Sequence, residues 1–537
     1  MTDYTRWTKE ALTQRIHELE EKLSAMRTQP LHHQTVASAA RSADSEPTPK
    51  KARKGMDPSR YGSRFIALRI AYLGKRYGGF EYQPSGSLPS IEEELWKALI
   101  KACLIFPAPG KAEHEVDFNH CEYSKCGRTD RGVSAFGQVV ALRVRSNRPR
   151  KAADTGADGS EQDGAQDDLQ SPEESHYGDL PPPEKEIQYG RVLNRLLPPD
   201  IRVLAWCPTP PPDFSARFSC RERRYRYFFT QPAYFGPPLD TRDGGGGPPD
   251  GWLDIHAMSV AAKQFVGLHD FRNFCKIDAN KQITNYERRI FDASIVEVPG
   301  LCSSLDYFGV DGGPKVYSFD VRGSAFLWHQ IRHMVAILFL VGQGRESPSV
   351  ISELLDATAN PGRPAYAMAE EAPLVLWDCI FPPAVPADAP EAAIDYPDAG
   401  NWSDCLEWYT VTDEAPDSRT FVDGLWRGWH SAKMDEILAN RLLDQVTKLS
   451  QAQTNSLVSY TPPANKSHIY EGGDGPRLGG SYIPLLKRSR LAPPEEQNDK
   501  FARSKGFASS AAMREVGNWR AVIRAQKEAE DTPAAAS

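Results

Sequence analysis

The chain has 537 residues, 40% of them apolar and 25% charged, with 40 glycines, 43 prolines and a net charge of −7. Its mean hydropathy is −0.52, and it contains no apolar run of about 18 residues, so no membrane span is expected. Nine scattered cysteines without a Cys-x-x-Cys pair point to a reducing compartment and away from a disulfide or structural zinc framework.

Leu12, Ile16, Leu19, Leu23 and Met26 recur at spacings of 4, 3, 4 and 3, a short heptad seam within residues 1–27. Residues 28–62 carry no apolar periodicity and read as a disordered linker with the basic cluster Lys50, Lys51, Arg53 and Lys54, a pattern used for nuclear import or RNA contact. No apolar signal-peptide core follows Trp7, so the expected location is nucleus and cytoplasm.

The folded region begins near Arg64. Phe65 to Tyr72 reads as a strand that runs into a glycine-rich loop, Leu73 to Gln83, holding Lys75, Arg76 and Tyr77. Ser90-Ile91-Glu92-Glu93 is a capping box, and Ile91, Leu95 and Leu99 form the inward stripe of the helix it opens. Next comes a polar loop, Tyr123 to Gln138, centred on Asp130 with Arg128 and Arg131 beside it. Neighbouring guanidiniums favour the ionised carboxylate. Val140, Leu142 and Val144 then alternate with Ala141, Arg143 and Arg145, a strand with one apolar face. Between Asp154 and Glu186 stand eleven acidic residues and the single cation Lys185; without this segment the net charge of −7 becomes +3. Residues 152–186 therefore read as a disordered acidic insertion. A helix from Ile187 to Leu197 and a strand from Ile201 to Trp206 complete a first half, 64–212.

The second half spans 213–385. Arg223, Arg224 and Arg226 alternate with Tyr225 and Tyr227, and a strand sends the two sets to opposite faces. Gly244 to Gly247 form a loop without the Gly-Lys-Ser/Thr of a phosphate loop. Asp254 to Val266 reads as a helix ended by Gly267, and Phe291 to Val298 and Val316 to Val321 read as strands. Ala325 to Leu338 is an apolar helix with one arginine, Arg332, which needs an anionic partner if buried. His329 and His333 are spaced as metal ligands on that helix, but no third ligand accompanies them, so no metal is expected. Ser347-Pro348 starts a short helix to Leu355, and Leu374 to Phe381 is a last strand. Residues 386–460 hold Trp402, Trp408, Trp426 and Trp429 and read as a docking segment; within it Ser431 is expected to cap a helix with Ile437, Leu438, Leu442 and Val446 facing inward. Residues 461–537 read as a mostly disordered tail with a basic cluster at Lys487-Arg488-Ser489-Arg490 and a short helix from Arg514 to Glu530.

Several stretches resemble one family. Gly127-Arg128-Thr129-Asp130-Arg131-Gly132-Val133, followed by Gly137-Gln138-Val139 and a strand, resembles the catalytic loop of the tRNA pseudouridine synthase A family. The wording Ser-Lys-Cys-Gly-Arg-Thr-Asp-Arg-Gly-Val-Ser-Ala is closest to the eukaryotic branch that modifies positions 38 and 39 of the anticodon arm. The Arg223–Phe229 strand, the His269–Lys276 segment, the Arg332 helix and the Arg363–Ala367 loop resemble further family segments, and together the likeness covers about 64–385. It implies an α/β pseudouridine synthase fold: two similar halves forming one continuous mixed, largely antiparallel sheet with a central cleft. It implies Asp130 as nucleophile or base, Arg332 as its ion-pair partner, and Tyr225 stacked on the target uracil. Arg128, Arg131, Lys75, Arg76, Tyr77, Arg223, Arg224 and Arg226 are the expected substrate-binding residues. Isomerising uridine imports no group and oxidises nothing, so no cofactor is expected; tRNA is the expected partner, with a homodimer an open expectation from bacterial relatives. Rival readings are a family member with broader tRNA and small-RNA targets, a tRNA-binding protein without catalysis, and a carboxylate glycosidase. The last needs a second catalytic carboxyl, and none stands in the matched loops.

Overall fold

The computed structural model describes residues 56–149, 180–234, 248–300, 314–382, 404–412, 419–454, 466–473 and 475–531. The heptad seam, residues 28–55 of the linker and residues 152–179 of the acidic insertion lie outside them. No helix among the described residues is long and apolar enough to cross a membrane.

One sheet of ten strands organises the fold. β1 (Tyr61–Tyr72) pairs antiparallel with β3 (Ser134–Pro149) along its whole length. The short β2 (Ser124–Lys125) adds to the other side of β3. On its far edge β1 takes β4 (Ile201–Cys207). The second half contributes β5 (Glu222–Gln231), β6 (Gly267–Asp270), β7 (Glu287–Glu297) and β8 (Lys315–Gly323), all antiparallel. The halves join through β9 (Leu374–Ile380), which runs parallel to β3 and antiparallel to β5. β10 (Tyr409–Thr410) closes the β4 edge. The sheet is thus continuous and mixed, with one parallel pairing at the seam.

Each half has its own core. In the first, α1 (Ile91–Lys101) starts where Ser90 Oγ accepts the Glu93 amide at 3.2 Å, and Ile91, Leu95 and Leu99 are buried as their spacing predicts. They pack with Ile66, Leu68 and Ile70 of β1 and with Tyr189 and Leu193 of α2 (Tyr189–Asn194). In the second, α3 (Ile255–Lys263), α4 (Gln330–Gly342) and α5 (Val350–Leu355) pack over Phe319 and Val321 of β8. Every residue of α4 is buried, Arg332 and His333 included. Tyr225 packs against both cores, so the seam runs beneath it.

Three expectations are corrected. The acidic insertion does not extend to residue 186 as disorder. Glu186 is buried, pairs with buried Arg64 at 3.2 Å, and accepts from Ser146 Oγ at 2.7 Å; a buried carboxylate needs such partners, and composition cannot show them. Residues 466–473 and 475–531 are not a disordered tail. Ile469, Tyr470 and Leu485 complete the second core, and α7 (Pro494–Ser504), α8 (Ser510–Glu515) and α9 (Trp519–Asp531) follow. The third concerns α6 (Arg419–Thr454), a 36-residue helix in which Ser431 lies mid-helix rather than at a cap. Ile437, Leu438, Leu442 and Val446 do not face inward: Leu438 and Leu442 are 69% and 66% exposed. Periodicity found the helix but not whether anything covers its apolar residues.

Candidate active site

The loop from Cys126 to Val133 is held at both ends and from behind. At its root Gln138 donates to the Gly127 carbonyl at 2.9 Å and accepts from the Gly127 amide at 3.1 Å. The Cys126 amide bonds to the Val139 carbonyl at 2.9 Å. From α1, Glu92 accepts Lys125 Nζ at 2.6 Å and the Tyr123 hydroxyl at 2.8 Å. Thr129 shares a hydrogen bond with the Tyr72 hydroxyl at 2.7 Å, and its carbonyl accepts the Phe80 amide at 3.1 Å.

The glycine-rich loop after β1 is the backing of this assembly. A Cβ on Gly74 would stand 2.0 Å from the Val133 carbonyl oxygen, and one on Gly79, whose φ is +114°, would stand 3.0 Å from the Thr129 carbonyl oxygen. Both positions demand glycine, by contact at the first and by contact and backbone angle at the second.

Asp130 ends up facing the start of α4. Its Oδ1 accepts the Trp328 indole N–H at 3.1 Å, and its Oδ2 stands 3.4 Å from His329 Nε2. His329 has a left-handed φ of +60°, a strained geometry for a non-glycine residue. Burial pushes the Asp130 carboxyl above its ordinary range; the charge on Arg332, the Trp328 hydrogen bond and the charge on Lys281 oppose this, and Glu371 adds to it. Burial, with the charges of Arg332, Lys276 and Arg363, lowers His329 to about 4, so its imidazole is neutral at physiological pH.

This corrects two sequence expectations. Arg128 turns to Glu81 at 3.2 Å and Arg131 is exposed; burial, not these flanking arginines, dominates the Asp130 carboxyl. Arg332 is near enough to act on Asp130 by its charge, yet its direct partners are Glu371 Oε2 at 2.7 Å and the Ala369 carbonyl at 2.6 Å. Glu371 also lies within van der Waals reach of Gly132, so the carboxylate that pairs with Arg332 abuts the loop. Sequence reasoning missed Glu371, Trp328, Lys276 and Lys281. Lys276 lies 4.6 Å from the centre of the Trp328 ring and Lys281 5.7 Å from it, a pairing of distant segments with no local signal.

Tyr225 is half-buried on the same side of the sheet as the Asp130 loop. Phe326 meets its ring edge-on at 5.2 Å, and burial raises its hydroxyl well above the ordinary range. Arg223 points the same way but is spent on backbone carbonyls: Ser324 at 2.6 Å, Cys126 and Arg217 both at 3.2 Å. Arg224 and Arg226 do not join the cleft. Strand alternation turns them to the opposite face, where Arg224 pairs with Glu222 and Arg226 with Asp320 while lying over Trp377. Tyr77 is buried, and its hydroxyl donates to Asp200 at 2.6 Å; Arg76 pairs with the same carboxylate. Lys75 is exposed.

The second half carries a family signature: residues 261–382 match the family described as tRNA pseudouridine synthase. Over 513 residues, the chain is 34% identical to a Saccharomyces cerevisiae protein named tRNA pseudouridine(38/39) synthase, covering 94% of this chain and 92% of that one. A Bos taurus protein of the same name is 40% identical over 379 residues, 71% of this chain and 68% of its own. The tRNA pseudouridine synthase A of Methanothrix thermoacetophila is 30% identical over 302 residues, 56% of this chain and 78% of its own.

Proposed function

The chain belongs to the tRNA pseudouridine synthase family, and from that premise we propose that it isomerises uridine to pseudouridine in the anticodon arm of tRNA, at positions 38 and 39. The N1–C1′ bond breaks, the base turns, the C5–C1′ bond forms and the C5 proton leaves. A stacked base is out of reach, so the target must be flipped out at a cost of a few kcal/mol.

The observation that supports this reading is the recessed Asp130 carboxylate on a loop backed by glycines, beside a buried arginine and a half-buried tyrosine. Asp130 is the group that attacks C1′ or removes a sugar proton; both routes require it ionised. Arg332 favours that state through its charge. Trp328 holds one carboxylate oxygen and leaves the other toward neutral His329. Tyr225 offers its ring to the freed base. Lys276, Lys281 and Arg363 add cations on the second-half side, and Arg131 and Lys75 on the first, for the phosphates of a splayed anticodon arm. The relatives named for positions 38 and 39 support the site choice.

The decisive experiment maps pseudouridine in tRNA incubated with the purified protein. Conversion at 38 and 39 supports the assignment, and conversion only at other uridines overturns the site choice while leaving the reaction intact.

A further inference from the structure

Three cysteines far apart in sequence meet under the candidate active site. Cys126 is at the root of the Asp130 loop, Cys220 stands just before β5, and Cys379 is on β9. All three are free thiols and buried, at 4%, 6% and 2% exposure, and their sulfurs lie within 4.8 Å of one another. Beside them is the Arg223 guanidinium, which donates to the carbonyls of Ser324, Cys126 and Arg217 and also meets the Cys126 thiol, with no carboxylate at ion-pair distance among the described residues. Glu222, its neighbour in sequence, faces the other side of the sheet with Arg224 and Arg322. A cation this enclosed calls for a negative charge close by.

We propose that Cys126, Cys220 and Cys379 form a zinc site that staples the root of the Asp130 loop to β5 and β9. Thiolate sulfurs at about 2.3 Å from zinc draw together three sulfurs already this close with small side-chain adjustments. Three thiolates and one Zn2+ leave one negative charge, which Arg223 neutralises. Soft sulfur donors select for zinc over the hard cations. Three protein ligands leave the fourth tetrahedral position to a solvent-derived ligand; no further thiol or imidazole reaches it among the described residues. Binding displaces the three thiol protons.

The reading does not depend on the catalytic assignment, and its test does not use activity. The full chain, purified without chelators, is saturated with ZnCl2, gel-filtered and analysed for metal. We expect about one zinc per chain, released on thiol modification, and its loss in Cys220→Ser/Cys379→Ser. Cobalt(II) added to the metal-free wild type should give a tetrahedral visible spectrum with a near-ultraviolet thiolate-to-cobalt band; this arm stands even if the double variant does not fold. Zinc well below one per chain after saturation overturns the site, as does a cobalt spectrum without the thiolate band, or undiminished zinc in the folded double variant.

Discussion

In the proposed function Asp130 is the residue on which the reaction turns, and its surroundings set two expectations. Asp130→Asn keeps the volume and removes the charge. Binding is spread over several cations, so tRNA affinity should change less than about threefold while turnover is lost, because the missing interaction belongs to the transition state. Release of the C5 proton, measured beside filter binding, checks both halves; turnover near wild type would refute the role. The second expectation follows from the raised carboxyl. A group that binds its proton more tightly when folded contributes stability below its unfolded pKa and loses it as pH rises through the folded one. At pH 7 the ionised Asp130 therefore costs stability, so Asp130→Asn should melt higher than wild type there. That difference should vanish in acid below the ordinary carboxyl range, and turnover should fall on the acid side at a pH above 3.8. Tyr225 gives a complementary test. Its hydroxyl is too weak an acid to exchange protons near neutrality, so Tyr225→Phe should keep most activity and Tyr225→Ala should lose it; equal, complete loss in both would assign the role to the hydroxyl.

At the scale of elements, the acidic insertion and the C-terminal region separate what is dispensable from what is structural. Deletion of 152–179 removes acidic sequence that carries no apolar periodicity, and the thermal midpoint should move little. Glu186→Ala, only seven residues beyond, should cost about 3–5 kcal/mol by stranding buried Arg64, with a matching loss in denaturant titration. If the two variants behaved alike, Glu186 would not be the anchor its contacts indicate. A chain ending at residue 465 should lose the cooperative unfolding of the second half, since Ile469, Tyr470 and Leu485 fill that core and each buried side chain of this size contributes about 1.5–3 kcal/mol; calorimetry reads this directly.

At the scale of the whole molecule, the sheet decides which cations can meet RNA. Each phosphate contact steepens the salt dependence of log K by about 0.7 to 0.9. Lys276→Glu and Arg131→Glu should therefore weaken tRNA binding and flatten that slope. Arg226→Ala should leave both unchanged, because its side chain lies on the opposite face with Asp320 and Trp377. A loss with Arg226→Ala as large as with Lys276→Glu would place RNA on the other side of the sheet.

The sequence by itself determined most strands and helices of 64–385, though not the short β2 and β6 or the start of α4 at Gln330, because alternation, caps and helical stripes are written in neighbouring residues: Ser90 caps α1 and Ile91, Leu95 and Leu99 are buried. It also determined the family, because the Asp130 loop is a long contiguous string. What it could not determine lies in pairings between distant segments. Arg332 was legible as a buried cation needing a partner, but only the packing of α4 against the Glu371 turn gave it that carboxylate. The side to which β5 turns its arginines, the burial of Glu186, and the exposure of the α6 leucines were decided in the same way. The three thiols make the point most sharply. They stand 94 and 159 residues apart, too far for any local spacing rule to register. They share one site because β9 inserts between β3 and β5 and carries Cys379 to the root of the Asp130 loop.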